Sequence, residues 1–468
     1  MPLTQILIIG AGPGGYTAAF YAADLGFSVT LIDDSAVLGG VCLNRGCIPS
    51  KALLHAARII HETASAEKIG LKFSPASLDM DQLRAWKNSI TSRLTNGLTQ
   101  LARARKVTVI QGKASFINAT TAEITSPGKT WQLSFEQAII ASGSRPVELS
   151  LIPSSARVWD STGALDFSHV PESLLVIGGG YIGLELGSAY AAFGSRVSIA
   201  ETLPRLLPSA DKDLADILIR RLKKDFKAIM TGTRVILAEE TPEGLRVTFC
   251  DSDGNKHHET YHQVLVAAGR QPNTDNLGLK NTNIHLTGNG FIKVDASRRT
   301  HEKNIYAIGD VTGNPMLAHK ASAEARAAVR AIAGHSDEYN PPCIPSVIYT
   351  DPELAWCGLT EQDAAAKNIN ITVSKFPWAA SGRAVATNRT DGITKLIADT
   401  NTGKILGIGI AGTGAGELIA EGAVAIKAGL KACDLAGTIH PHPTLSESIM
   451  EAAEGLSGSS THLFNSRK

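Results

Sequence analysis

Leu3 to Ile9 is an unbroken apolar and β-branched run, the pattern of a strand buried on both faces. It ends at Gly10-Ala11-Gly12-Pro13-Gly14-Gly15. An Ala-rich helical pattern follows to Gly26, and Ser28 to Ile32 predicts a second strand that stops at Asp33. The same order returns later in the chain. Leu174 to Ile177 is a strand, Gly178-Gly179-Gly180-Tyr181-Ile182-Gly183 breaks it, a helix runs to Gly194, and the strand Arg196 to Ala200 stops at Glu201. Between the two repeats, Leu83, Trp86, Ile90, Leu94, Leu98 and Leu101 recur at steps of three and four, predicting a long amphipathic helix whose stripe packs on the core. Val107 to Val109, Trp131 to Phe135 and Ala138 to Ile140 predict strands, the last entering Ala141-Ser142-Gly143-Ser144, and Pro146 and Pro153 mark a linker. Val264 to Ala268 and Ile305 to Ile308 predict further strands, followed by Gly269 and by Gly309-Asp310, and Ala318 to Ala333 predicts a helix. From Pro341 the pattern changes to short strands (Ile371 to Phe376, Ile393 to Ala398, Ile405 to Ile410) mixed with helices.

Each repeat is a G-x-G-x-x-G turn between strand and helix, with an acid at the end of the next strand. The spacing from first glycine to acid is 33 − 10 = 23 in one and 201 − 178 = 23 in the other. The glycines let the backbone approach a pyrophosphate at the positive helix end, and the acid binds a ribose hydroxyl. One such motif alone is weak, because Gly-rich turns are common. Two in full βαβ settings imply two dinucleotides bound at once. The chain is therefore read as α/β, with two Rossmann-like dinucleotide-binding domains and a C-terminal α+β domain. Glu201 would accept hydrogen bonds from a 2′-hydroxyl and repel a 2′-phosphate, and Arg205 nearby does not outweigh it.

Composition narrows the picture. At 468 residues the chain exceeds one ordinary core. With 43% hydrophobic and 19% charged residues and a net charge of +1, it is globular and carries no basic run that suggests nucleic acid. No apolar run reaches the ~18 residues of a membrane span, and the start of the chain has no signal- or transit-peptide pattern. Six cysteines do not make a secreted disulfide framework. Cys250, Cys343, Cys357 and Cys433 are scattered and read as structural, which places a redox-active pair in the cytosol.

That pair is Cys42 and Cys47, in Gly39-Gly40-Val41-Cys42-Leu43-Asn44-Arg45-Gly46-Cys47-Ile48-Pro49-Ser50-Lys51. If residues 42 to 47 are helical, the two lie roughly 5–6 Å apart at the backbone and can close a disulfide. Near a helix N-terminus their thiols would ionise and exchange readily. Half of a metal site, or two unrelated buried thiols, remain the alternatives on spacing alone. No second ligand pair with zinc spacing appears, and no metal is expected. Near the C-terminus, His440-Pro441-His442-Pro443-Thr444-Leu445-Ser446-Glu447 reads either as two surface histidines in a turn or as a general base, His442, oriented by Glu447.

Taken together, these motifs resemble the flavin-dependent pyridine nucleotide–disulfide oxidoreductases, most closely the members that oxidise dihydrolipoamide, from Gly10 through Glu447. The resemblance implies FAD on the first fingerprint, held by Gly10, Gly12, Gly15, Asp33, Gly40, Val41, Cys42, Lys51, Gly112, Ser142, Gly143, Asp310 and Ala318. It implies NAD on the second, held by Gly178, Gly180, Gly183, Glu201, Val235 and Gly269. It makes Cys42 and Cys47 a redox-active disulfide, with Cys47 toward the flavin and Cys42 exchanging with substrate. His442 becomes the base, held by Glu447, and Lys51 meets Glu185 beside the flavin. The implied division is an FAD domain at 1–145 and 271–340, an NAD domain at 146–270 and a dimerisation domain at 341–468. The implied assembly is a homodimer in which the base comes from the partner chain and the His442–Pro443 bond is cis. The implied partners are lipoyl domains and the acyltransferase core of a 2-oxo acid dehydrogenase complex, or a glycine-cleavage counterpart. Two departures from the family pattern stand out: Pro441, and Arg45, which would alter disulfide potential or access. A glutathione or mercuric reductase would instead use NADPH, against Glu201, and the latter would carry cysteines beyond Cys433. A redox-silent flavoprotein scaffold would have lost Cys42, Cys47, Lys51, His442 or Glu447, and all are present.

Overall fold

The computed structural model describes residues 3–336 and 338–463. Strand Leu3–Ile9 forms the centre of a seven-stranded sheet, because Ile6, Leu7 and Ile8 are wholly buried and can pair on both sides. It runs parallel to Val29–Asp33 on one side and to Lys129–Ile140 on the other, with Leu7 opposite Thr30 and Ala138. Ile305–Ala307 returns to the same sheet beside Lys129–Ile140, some 165 residues later (305 − 140 = 165). Trp131 to Phe135 and Ala138 to Ile140 are thus one strand, since Glu136 and Gln137 continue the ladder between them. Helix α1 (Pro13–Asp24) follows the first glycine turn.

The cysteine stretch does not form one helix. Helix α2 (Gly40–Arg45) ends at Gly46 (φ −152°, ψ −110°), and α3 (Cys47–Ser65) begins anew. A Cβ at Gly46 would lie 3.0 Å from the Val41 carbonyl oxygen, so the break uses a glycine where chain segments crowd. Cys47 is consequently the first residue of a 19-residue helix. Helix α4 (Met80–Ala104) is the long amphipathic helix, but only part of its stripe faces the core, where Leu83 and Leu98 pack. Lys87, Thr95 and Ala102 are its buried residues, while Trp86, Leu94 and Leu101 are 41%, 40% and 46% exposed. Periodicity fixes a helix and an apolar side without naming what covers that side.

A second, five-stranded parallel sheet carries the second repeat in the order Ala228–Met230, Arg196–Ala200, Ser173–Ile177, Gln263–Val266, Val158–Trp159. Its glycine turn leads into α5 (Tyr181–Ala192), and a three-stranded antiparallel meander over Arg234–Tyr261 covers one face. Helix α6 (Ala318–Ile332) packs on α1. The C-terminal part is a five-stranded antiparallel sheet ordered Ser346–Ile348, Glu353–Gly358, Ile405–Gly412, Ile393–Asp399, Ile371–Pro377, closed by α7 (Glu447–Ser457). Cys343 and Cys357, scattered in the sequence, bring their side chains into contact beside this sheet.

A buried ion cluster joins this sheet to the second domain. Lys395, 1% exposed, pairs with Asp211 (2.8 Å), Asp213 (2.9 Å) and Glu361. Removing the ammonium takes from the buried Asp211 its cation and leaves Asp213 and Glu361 only Lys375, and breaking a buried pair in this way costs roughly 3–5 kcal/mol. Lys395→Ala should therefore lower the thermal unfolding temperature clearly, as measured by calorimetry; an unchanged midpoint would mean that the cluster is solvated in solution.

Candidate active site

The first glycine turn, the cysteine helices and the return strand converge on a cavity of about 440 Å³. Its walls include Gly10, Gly12, Asp33, Gly40, Val41, Cys42, Cys47 and Lys51. Ser142, Gly143, Asp310 and Ala318 complete the predicted set that reaches it. Gly15 acts from behind, since a Cβ there would stand 1.7 Å from the Gly10 carbonyl oxygen. At Gly10 (φ +105°) a Cβ would lie 2.2 Å from the Ala141 oxygen, and at Gly40 (φ +56°) 2.6 Å from Gly12 Cα. The wall at this end is therefore bare backbone at a helix N-terminus, a surface suited to a pyrophosphate. Asp33 accepts from the N–H groups of Ala11 (2.6 Å) and Ser35 (2.9 Å). Burial raises its carboxyl above the ordinary range, opposed by those N–H groups and by the Arg45 charge. Arg45 thus lines the cavity and acts on Asp33, a role the sequence comparison did not foresee. These residues fit FAD.

Gly112 is not in the lining of this cavity, and Val235 lies in the second domain, away from it. The Gly112 N–H bonds the Asp33 carbonyl (2.7 Å) behind the cavity, and a Cβ there would meet the Thr125 oxygen at 2.7 Å. Val235 is 5% exposed in the core of the second domain. Sequence reasoning missed Ser144 and Arg270, which flank predicted glycines. Ser144 Oγ donates to Asp310 (2.6 Å) and accepts from Arg270 Nε (2.7 Å), tying three separated segments together.

The second turn repeats the first. Gly178 has φ +113°, and a Cβ at Gly183 would stand 2.2 Å from the Gly178 oxygen. A Cβ at Gly180 would meet nothing within 4 Å, leaving that face open to a ligand. Glu201 accepts from the N–H groups of Gly179 (2.7 Å) and Leu203 (2.7 Å), the counterpart of Asp33 on Ala11. Arg205 is held by its own loop, donating to the carbonyls of Pro208 and Ala210. Gly269 (φ +123°) accepts from the Val147 N–H where the chain leaves the second domain. The residues of this turn fit NAD. Tyr181, Ile182 and Glu185 of α5 also line the first cavity, so both fingerprints face one space.

At that junction Lys51 Nζ lies 2.8 Å from Glu185 Oε2, as the resemblance implied. Glu185, with a side chain 4% exposed, also accepts from Ser50 Oγ (2.8 Å) and from the Tyr349 N–H (3.0 Å). Cys42 and Cys47 are present as thiols in mutual hydrogen-bonding contact. Cys47 is held down to about 7 by the hydrogen bond from Cys42 and then by the Lys51 ammonium, against the opposing effect of burial. The Cys42 thiol is pushed up by donating that bond and by burial. The Lys51 ammonium and the hydrogen bond from Cys42 favour the thiolate form at Cys47.

The two histidines near the C-terminus differ. Both ring nitrogens of His440 are engaged, Nε2 with Glu421 (2.8 Å) and Nδ1 with the Thr438 carbonyl (2.9 Å). His442 Nδ1 donates to Glu447 Oε1 (2.8 Å), and Glu447 Oε2 accepts from the Thr444 N–H (2.7 Å). The His442 side chain is 76% exposed, the His442–Pro443 bond is cis, and no bond engages its Nε2 among the described residues. Neither His442 nor Glu447 lines the cavity that holds the cysteines.

A model of the pyridine nucleotide-disulphide oxidoreductase family matches residues 4–325, and one of that family's dimerisation domain matches 344–453. The chain belongs to this family. A dihydrolipoyl dehydrogenase of Haemophilus influenzae is 46% identical over 468 residues, covering 99% of this chain and 97% of the relative. One from Geobacillus stearothermophilus is 45% identical, covering 98% and 97%. Among solved structures, LpdA from Mycobacterium tuberculosis matches with TM-score 0.90 at 28% identity, covering 97% of this chain and 99% of that one. The HOCl-induced flavoprotein disulfide reductase RclA from Escherichia coli matches with TM-score 0.86 at 30% identity, covering 96% and 99%.

Because the Lys51 charge helps hold Cys47 ionised, Lys51→Ala should move Cys47 ionisation upward from about 7. The rate of Cys47 alkylation in the reduced protein, followed against pH, measures this. An identical profile in the variant would show that Lys51 does not act on the thiol.

Proposed function

We infer that the chain oxidises dihydrolipoamide to lipoamide and reduces NAD⁺ to NADH, with FAD and a redox-active disulfide between them. One observation carries this reading: a thiol pair and the helix of a second dinucleotide fingerprint open on the same cavity. The 43–46% identity to dihydrolipoyl dehydrogenases over nearly the whole chain supports the same conclusion. FAD, when bound, supplies the two-electron carrier that links dithiol chemistry to nicotinamide.

The chain's own residues supply the rest. A dithiol substrate attacks the disulfide only as thiolate, so a base must take its proton. His442 accepts that proton at Nε2, because Glu447 fixes Nδ1 as the donor. Cys42 forms the mixed disulfide with the substrate, and Cys47 leaves as thiolate, the form its surroundings favour. The second substrate sulfur then displaces Cys42, releasing lipoamide and leaving both cysteines reduced. Lys51 and Glu185 hold the charge at this end of the cavity. Glu201 selects NAD⁺. A like charge about 4 Å away costs roughly 1–4 kcal/mol between water and protein-surface dielectrics. With dihydrolipoamide as donor, kcat/KM for NAD⁺ should exceed that for NADP⁺ by about tenfold or more. Cys47→Ser should lose lipoamide turnover while keeping FAD. Turnover retained in Cys47→Ser, or equal use of the two nicotinamides, would overturn the corresponding assignment.

The working unit is a homodimer with a shared site, in the cytoplasm, serving lipoyl domains and the acyltransferase core of a 2-oxo acid dehydrogenase complex or the glycine cleavage system. The division at 1–145 and 271–340 (FAD), 146–270 (NAD) and 341–468 (dimerisation) follows the same reading. No helix among the described residues is long and apolar enough to cross a membrane. The dimer is supported by the dimerisation-domain match and by the exposed apolar side of α4, which one chain leaves uncovered. It is also supported by the separation of His442 from the cysteines, 395 residues apart in sequence (442 − 47 = 395) and lining no common cavity. Mixed dimers of His442→Gln with Cys47→Ser chains should regain activity at one of two sites, whereas both parent homodimers stay inactive. Confirmed heterodimers that remain inactive would refute the shared site.

A further inference from the structure

The hairpin that delivers Tyr349 to Glu185 is fixed at both ends. It begins in Pro341-Pro342-Cys343-Ile344-Pro345, where three prolines lock φ. The Pro345 carbonyl accepts from His319 Nε2 (2.8 Å), next to Ala318 at the start of α6, whose side chain lines the FAD cavity. The chain then pairs Ser346–Ile348 with Glu353–Gly358, placing Ser346 opposite Trp356. This register puts Cys343 and Cys357 on the two legs of the hairpin at its open end. Their side chains are in hydrogen-bonding contact, with Cys343 Sγ 3.9 Å from the Ala423 carbonyl oxygen. Both are thiols in this structure, and neither takes part in the chemistry derived above.

We propose that Cys343 and Cys357 are a second, non-catalytic dithiol that a peroxide closes to a disulfide, clamping the hairpin that holds Glu185. The two thiols differ as such a pair requires. Cys343 is half-buried, whereas Cys357 is 2% exposed. Burial raises both thiols, but at Cys343 the hydrogen bond from Cys357 and the Lys427 charge oppose part of that rise. Cys343 is therefore the sulfur that meets the oxidant. Its thiolate attacks one peroxide oxygen; the S–O bond forms, the O–O bond breaks, and hydroxide leaves to take up a proton. The Cys357 sulfur then attacks the sulfenic sulfur of Cys343. The S–S bond forms, and water departs with the Cys357 proton. Two thiols are oxidised by two electrons in total, and one peroxide becomes two waters. The product joins both legs of the hairpin between the His319 anchor and Tyr349, so the Tyr349 N–H stays aimed at Glu185 when the surroundings turn oxidising.

The test uses the FAD-loaded dimer, reduced with dithiothreitol, freed of it, treated with one equivalent of hydrogen peroxide per chain and then excess, and alkylated with N-ethylmaleimide. Peptide mass mapping without reduction should give a Cys343–Cys357 linked pair, lighter by two hydrogen atoms than the free peptides, beside the Cys42–Cys47 product. Dithiothreitol should abolish it. Cys343→Ser and Cys357→Val should both lack it, and Cys357→Val should instead expose a Cys343 sulfenic acid to dimedone. Oxidised wild type should also unfold at a higher temperature than oxidised Cys343→Ser, which keeps its active-site pair and isolates the clamp. Recovery of Cys343 and Cys357 from wild type as separate alkylated residues, or Cys343 linked to another cysteine, would overturn the pairing. Equal unfolding temperatures would overturn the clamp.

Discussion

The Glu185 carboxylate is the point on which the three parts of the chain agree. It stands on α5 of the second domain, 3% exposed, and an unpaired charge so buried would not persist. Its partners come from elsewhere: Ser50 and Lys51 from α3, and the Tyr349 N–H from the C-terminal hairpin. Lys51 is further placed over the Tyr349 ring, 4.5 Å from its centroid. Any displacement of one part relative to the others therefore leaves this carboxylate short of a partner. The same Lys51 charge reaches Cys47, so the alignment of the domains and the ionisation of the thiol depend on one cation.

The two glycine turns show one physical solution applied twice. In each, a glycine at positive φ packs under a neighbouring carbonyl, and the acid at the next strand's end accepts an N–H from the turn. Their surroundings separate them. Asp33 sits in the wall of the FAD cavity, where Arg45 and two N–H groups oppose the effect of burial. Glu201 lies near the surface on a loop that occupies the nearest arginine, leaving the carboxylate as the dominant charge toward a ribose.

Local rules were legible in the sequence; partnerships were not. The strands Leu3–Ile9 and Arg196–Ala200, both glycine turns and the Lys51–Glu185 pair follow from patterns or from the family they resemble. The break between α2 and α3 escaped because Gly46 acts through crowding with Val41, which spacing does not encode. The α4 stripe was visible as a stripe, yet its period did not say that Leu83 and Leu98 would pack on the core while Trp86, Leu94 and Leu101 stay exposed. The contact between Cys343 and Cys357 was not legible because only the antiparallel register of their hairpin brings them together.

The histidine pair states the same principle from the opposite side. His440 and His442 have nearly the same sequence neighbours, a proline on at least one side of each, yet only one of them keeps a nitrogen free. His440 is consumed in holding its own turn against Glu421, and this fixes the loop from which His442 projects. Glu447, the first residue of α7, receives both the Thr444 N–H and the His442 ring, so the helix start and the imidazole tautomer are set by one carboxylate. The proposed base is thus oriented by its own chain. In the proposed dimer a second chain needs to supply position alone, which a rigid interface between folded domains can do without reorganising the reacting group.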